Sequence, residues 1–93
     1  MTLYQSVESA IAQYYQNLDG WDYDDWLEAI ERGAKAVYPN NKILVYAYDT
    51  DNDTWELDRQ LDEVMAAMRT NTVVDYCNLW DEETVVSVIV VKK

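Results

Sequence analysis

Val85-Val86-Ser87-Val88-Ile89-Val90-Val91 is apolar at odd and even positions alike, and that pattern decides the fold. A strand with one wet face alternates apolar and polar residues, so this run belongs in the middle of a sheet, covered on both sides. Val73–Trp80 before it also reads as a strand, with Asp81-Glu82-Glu83-Thr84 as a four-residue hairpin loop between the two. Further upstream Lys42–Tyr48 alternates: Ile43, Val45 and Ala47 face one way, Leu44, Tyr46 and Tyr48 the other.

Helical spacing fills the remainder. Leu3, Val7, Ile11, Tyr14, Tyr15 and Leu18 form a first stripe, with Thr2 placed to cap it and Asp19-Gly20 to stop it. A second helix starts at Trp21–Asp22, where Asp22 caps and Asp25 follows at capping-box spacing. Trp26, Leu27, Ile30, Ala34 and Val37 are its stripe, and Tyr38-Pro39-Asn40-Asn41 ends it. Asp53 and Glu56 make the next capping pair, ahead of Leu57, Leu61, Val64, Met65 and Met68. The order is α-α-β-α-β-β. A β-α-β connection leaves its two strands parallel, so the last strand is expected between them and antiparallel to both. The expectation is a single α+β domain spanning residues 1–93: a three-stranded, mostly antiparallel sheet with the last strand central, packed with three helices. The face bearing Tyr46, Tyr48, Tyr76 and Trp80 is either covered by the first two helices or open.

Charge supplies the functional signal. Eighteen acidic residues stand against seven basic ones, with no histidine, for a formal charge of −11. Residues 1–31 hold Glu8, Asp19, Asp22, Asp24, Asp25, Glu28 and Glu31 and no lysine or arginine. Asp49, Asp51, Asp53, Glu56, Asp58, Asp62 and Glu63 meet only Arg59, and Asp81-Glu82-Glu83 share one turn. Helix capping by Asp22, Asp25, Asp53 and Glu56 accounts for some of these acids. The i,i+4 pairs Glu28–Arg32, Glu31–Lys35 and Arg59–Glu63 account for others. The rest, Asp75 among them, exceed what solubility needs, a net charge of about 2–8 in magnitude. Disordered acidic tails are poor in aromatics, whereas this chain has four Trp and eight Tyr and is 49% hydrophobic, so it folds.

Several functions are disfavoured. Without histidine the commonest general base is missing, and with only Gly20 and Gly33 there is no glycine-rich phosphate loop, so no enzyme is expected. Asp49-x-Asp51-x-Asp53 matches the opening of a calcium-binding loop. Thr54 then stands where glycine is required and Gln60 where a bidentate Glu closes the site. A solvated turn leading into a helix cap is the expectation, with no metal and no cofactor. Anionic nucleic acid and membrane surfaces repel such a chain, so neither is an expected direct partner. No apolar run is long enough to span a bilayer, and Met1–Tyr4 does not resemble a signal peptide. The single Cys77 is read as a small buried hydrophobe in a reducing cytoplasm, the host's if the source is viral.

Trp21, Tyr23, Trp55 and Trp80 stand beside acids at element boundaries, whereas Tyr14, Tyr15 and Trp26 lie on helical stripes and are expected in the core. Aromatics interleaved with carboxylates suit an Arg-rich surface, because rings stack on guanidinium groups that carboxylates neutralise. The expected partner-binding residues are Asp19, Trp21, Asp22, Asp24, Asp25, Asp49, Asp51, Asp53, Asp58 and Asp62. Tyr14-Tyr15-Gln16-Asn17-Leu18-Asp19-Gly20-Trp21 resembles the acidic helical edge by which barstar-type inhibitors block their ribonuclease, although the strand order here reads differently. The whole profile is similar in kind to phage-encoded DNA-mimic inhibitors of restriction and CRISPR systems, a likeness of composition with no shared motif. The leading expectation is a DNA-mimic inhibitor of a basic nuclease or CRISPR-type effector. An immunity protein or antitoxin masking one basic toxin is the alternative. A third reading, an acidic subunit of a larger complex, predicts an open apolar face and homodimerisation.

Overall fold

The computed structural model describes residues 1–49 and 54–93, with only the helical backbone of residues 54–57. Its elements run α1 (Leu3–Gln16), α2 (Tyr23–Val37), β1 (Lys42–Asp49), α3 (Thr54–Thr70), β2 (Val73–Asp81) and β3 (Thr84–Val91). The sheet order is β1-β3-β2, both neighbours antiparallel to β3. The last strand is central, as its two-sided apolar pattern requires.

Two apolar layers form on β3. Val86, Val88 and Val90 join Cys77, Leu79 and the inward faces of α1 (Leu3, Val7, Ile11) and α2 (Trp26, Ile30, Ala34). On the opposite face Ile89 and Val91 meet Val64 and Ala67 of α3, flanked by Leu44, Tyr46 and Val73. Burying each such Val or Ile stabilises by roughly 1.5–3 kcal/mol. Ser87, the polar interruption, is buried but satisfied, its Oγ donating to Asn78 Oδ1 at 2.6 Å. Thus α3, not the first two helices, covers the second face. Its cover reaches only Val73 at the start of β2, and Tyr76 and Trp80 further along that strand stay exposed. Leu61 and Met65, expected in the stripe of α3, are also exposed, because the helix seats on Val64 and Ala67 one turn apart. Leu57 lies outside the described side chains.

The caps show how sequence sets the ends. Thr2 Oγ1 accepts from Gln5 N (3.1 Å) while Thr2 N donates to Gln5 Oε1 (3.0 Å), closing a capping box. Asp22 Oδ1 accepts from Asp24 N and Asp25 N at 2.9 and 3.2 Å. The helix-two start at Trp21–Asp22 therefore moves to Tyr23, with Asp22 as cap. Helix one ends at Gln16, before the expected Asp19-Gly20 stop, with Asn17 as its cap: the Asn17 backbone N–H and side-chain amide both donate to Gln13 O, at 3.2 and 3.0 Å. The Asp53–Glu56 cap falls outside the described residues. The hairpin is tighter than expected: Asp81 pairs with Thr84, leaving a two-residue turn in which Glu82 sits at φ 56°. Of the three helix ion pairs, only Glu31–Lys35 closes among the described residues, at 3.8 Å.

Candidate partner-binding site

Chain direction sorts the charges. β1 and β2 run toward the β2–β3 turn, so Asp49 and Asp81 flank Thr84 on the central strand, with Glu82 and Glu83 beyond. α2 begins at this same end, since Trp26 Nε1 donates to Asp81 Oδ2 at 2.7 Å. That brings Asp22, Asp24 and Asp25, all exposed, to the acidic end along with Asp19 of the preceding loop. α3 also starts toward this end, where its Gln60 borders the same hollow as Asp49 and Asp81, and it carries exposed Asp58 and Asp62. The opposite end holds Lys42, paired with Val91, then Lys92, whose N–H donates to Thr72 O, with Arg69 in the last turn of α3. The fold is charge-polarised along its strands. The helix dipoles of α2 and α3 point their positive ends at the acidic pole, which offsets part of the repulsion there.

A cleft of about 570 Å³ opens in this pole. Its aromatic wall is Trp21, Tyr23 and Trp26, with centroids 6.2, 6.3 and 6.0 Å apart, each pair tilted or edge-on. Tyr14 clips the α1–α2 loop in place: its hydroxyl donates to Asp22 O (3.1 Å) and accepts from Asp22 N (3.0 Å). Opposite stand Asp49, Asp81 and Glu82 of the sheet end and Gln60 of α3. Asp81 is the joint, accepting from Trp26 and also from Tyr15 Oη at 2.9 Å. Partial burial, reinforced by that bond to a carboxylate, pushes the Tyr15 hydroxyl up to about 12, so it stays a donor throughout the neutral range. Gln60 Oε1 is buried with no hydrogen-bond partner among the described residues.

The sequence-predicted residues are thus partly gathered. Asp19, Trp21, Asp22, Asp24, Asp25 and Asp49 share the pole; Trp21 and Asp49 line the cleft itself. Asp58 and Asp62 are exposed on α3, and Asp51 and Asp53 lie outside the described residues. Trp55 does too, as regards its side chain. Tyr15, expected in the core, is 39% exposed in the last turn of α1, where its hydroxyl donates to Asp81 at the rim of the cleft. Trp26 is core as expected, at 2% exposure, and in addition walls the cleft. The expected set left out Asp81, Glu82 and Gln60, and Tyr23 as well, although its place among acids at an element boundary marks it for an Arg-rich surface. The expected strand order brings the ends of the first two strands together beside the start of the third, but it is the register that sets Asp49 and Asp81 on either side of Thr84. Two acids thought to lack local roles have them: Asp81 as above, and Asp75, which accepts from Tyr38 Oη at 2.6 Å. Among the described residues no three Cys, Asp or Glu side chains gather closely enough to hold a metal ion. No described helix is long and apolar enough to cross a membrane. Comparison with protein-family models, curated proteins and solved structures finds no match for this chain.

Proposed function

We propose that the chain is a non-enzymatic inhibitor that occupies the basic nucleic-acid-binding surface of a nuclease or CRISPR-type defence effector, as phage anti-defence proteins do. The observation that carries this reading is the charge polarity: Asp22, Asp24, Asp25, Asp49, Asp81 and Glu82 converge at one end while Lys42, Lys92 and Lys93 sit at the other. Duplex DNA carries one charge per roughly 1.7 Å, and its binding rests on the lysines and arginines that neutralise it. Carboxylates fixed on a sheet end and two helix starts engage the same cations and offer no phosphodiester to cut. Only one end of the molecule needs to enter the cleft of the effector, and the basic end stays clear. The test is to titrate the protein into complexes of basic nucleases or CRISPR effectors with labelled duplex. Release of the duplex, weakening as salt rises, supports the reading; retention by every effector at low salt sinks it.

The aromatic cleft favours a second reading, a protein that masks one basic toxin through a specific anchor. Interfaces of that kind concentrate their energy in a few buried aromatic and arginine contacts. Trp21→Ala separates the two. A dispersed mimic loses affinity only a few-fold, whereas an anchored complex collapses.

A further inference from the structure

The geometry points to the cleft between Trp21, Tyr23, Asp81, Glu82 and Gln60 as a receptor for a single arginine side chain presented by the protein partner. Four features select that group. The wall is aromatic and half open: Trp21 and Tyr23 are 54% and 48% exposed, with their rings held against Trp26. Such a wall stacks on a flat guanidinium and leaves its rim for solvent. The facing groups are acceptors, the carboxylates of Asp49, Asp81 and Glu82. Gln60 Oε1 is a buried acceptor with no partner among the described residues, and buried polar atoms in native proteins are nearly always paired. Gln60 lines the cleft, so a turn of its side chain would bring this acceptor to a donor arriving from outside. Finally, a volume of about 570 Å³ holds an arginine together with the backbone that delivers it.

The competing cations fit less well. A lysine ammonium is a compact, strongly hydrated charge that cannot reach Gln60 and the Asp81–Glu82 side in one planar fork. A quaternary ammonium suits the rings but has no N–H to give Gln60. The aromatic rings near the acids, and the acceptor left over beneath them, therefore call for a cation that is flat and rich in donors.

This inference rests on the inhibitor reading for its partner but is tested without one. The probes are acetyl-Gly-Arg-Gly-amide, its Lys counterpart and choline, followed by tryptophan fluorescence and by the indole N–H resonances. The expected result is saturable binding of the Arg peptide, about tenfold tighter than the Lys peptide and tighter than choline. The Trp26 indole resonance should shift most, because its acceptor Asp81, already bonded by Trp26 and Tyr15, gains a cationic donor. Trp21→Ala and Glu82→Gln should each weaken binding several-fold, whereas Glu31→Gln, on the solvent side of α2, should not. Glu82→Gln keeps the turn and guards against a Trp21 variant that fails to fold. Equal affinity for the three probes, or shifts spread over all the indoles with no saturation, overturns the inference. Arginine binding with no effector released from DNA would remove the inhibitor reading and leave the receptor standing. Effector release unaffected by either variant would do the reverse.

Discussion

Asp81→Ala removes the one acceptor shared by α1 and α2 at the sheet end, and its cost can be worked out from the structure. Trp26 is 2% exposed, so its indole N–H, now 2.7 Å from Asp81 Oδ2, would be left buried and unpaired. That costs about 1–3 kcal/mol. The Tyr15 hydroxyl turns to water at little further cost, since the residue is 39% exposed. Removing one charge from a chain of −11 returns a few tenths at most. The net is a loss of about 1–2 kcal/mol, or about 5–15 °C in melting temperature for a domain of this size. Trp26→Phe removes the donor instead, along with part of the ring packing. If the bond is what matters, the double variant is less destabilised than the sum of the singles by about 1 kcal/mol in denaturant melts. Additivity within about 0.5 kcal/mol would mean that Asp81 and Trp26 act independently, and would refute the reasoning.

Three further outcomes are expected. Gly33→Ala should destabilise by about 1 kcal/mol although Ala is the better helix former by about as much, because the new Cβ would lie 2.8 Å from Ala10 Cβ and strain the 2.6 Å Ser6–Gly33 bond between the helices; thermal melts decide it, and a stability gain would show that α1 and α2 can part freely. Burial pushes the Cys77 thiol up to about 11, aided by Asp75, so at pH 8 it should react with a thiol reagent about a hundredfold more slowly than in the unfolded chain; equal rates would contradict this. Tyr15 is raised by partial burial and by Asp81, and Tyr38 by its bond to Asp75, so both contributions are complete below about pH 10 and decline above it, that of Tyr15 being lost as pH climbs toward 12. Denaturant melts from pH 9 to 12 should show that decline blunted in Tyr15→Phe.

Much of the fold was legible because its strongest signals are local. The two-sided apolarity of Val85–Val91 fixed the central strand, and Thr2 and Asp22 carried their caps in plain view. What escaped depended on distances between elements. Whether α1 ran to Leu18 or stopped at Gln16 turned on the backbone leaving the helix at Asn17, which the stripe of apolar residues cannot reveal. The exposure of Leu61 and Met65 follows from where α3 sits on the sheet, and an amphipathic pattern does not encode that. The acidic pole was half visible: Asp22, Asp24 and Asp25 were read from their position in sequence. Asp81 and Glu82 became site residues only through strand register. The cleft as a whole was not legible, though Trp21 and Asp49 were expected, since its lining comes from all six elements, the α1–α2 loop and the β2–β3 turn.

The central claim is that position, not charge alone, makes the acidic end the working surface. Two variants of equal net charge test it directly. One replaces pole residues (Asp24→Asn, Asp25→Asn, Glu82→Gln); the other replaces acids elsewhere (Glu8→Gln, Glu31→Gln, Glu63→Gln). Both are compared with the parent in displacing labelled duplex from the most sensitive basic effector at fixed salt. The account predicts that the pole variant loses tenfold or more in potency, about 1.4 kcal/mol, while the other stays within about threefold of the parent. Equal losses in both variants would contradict it.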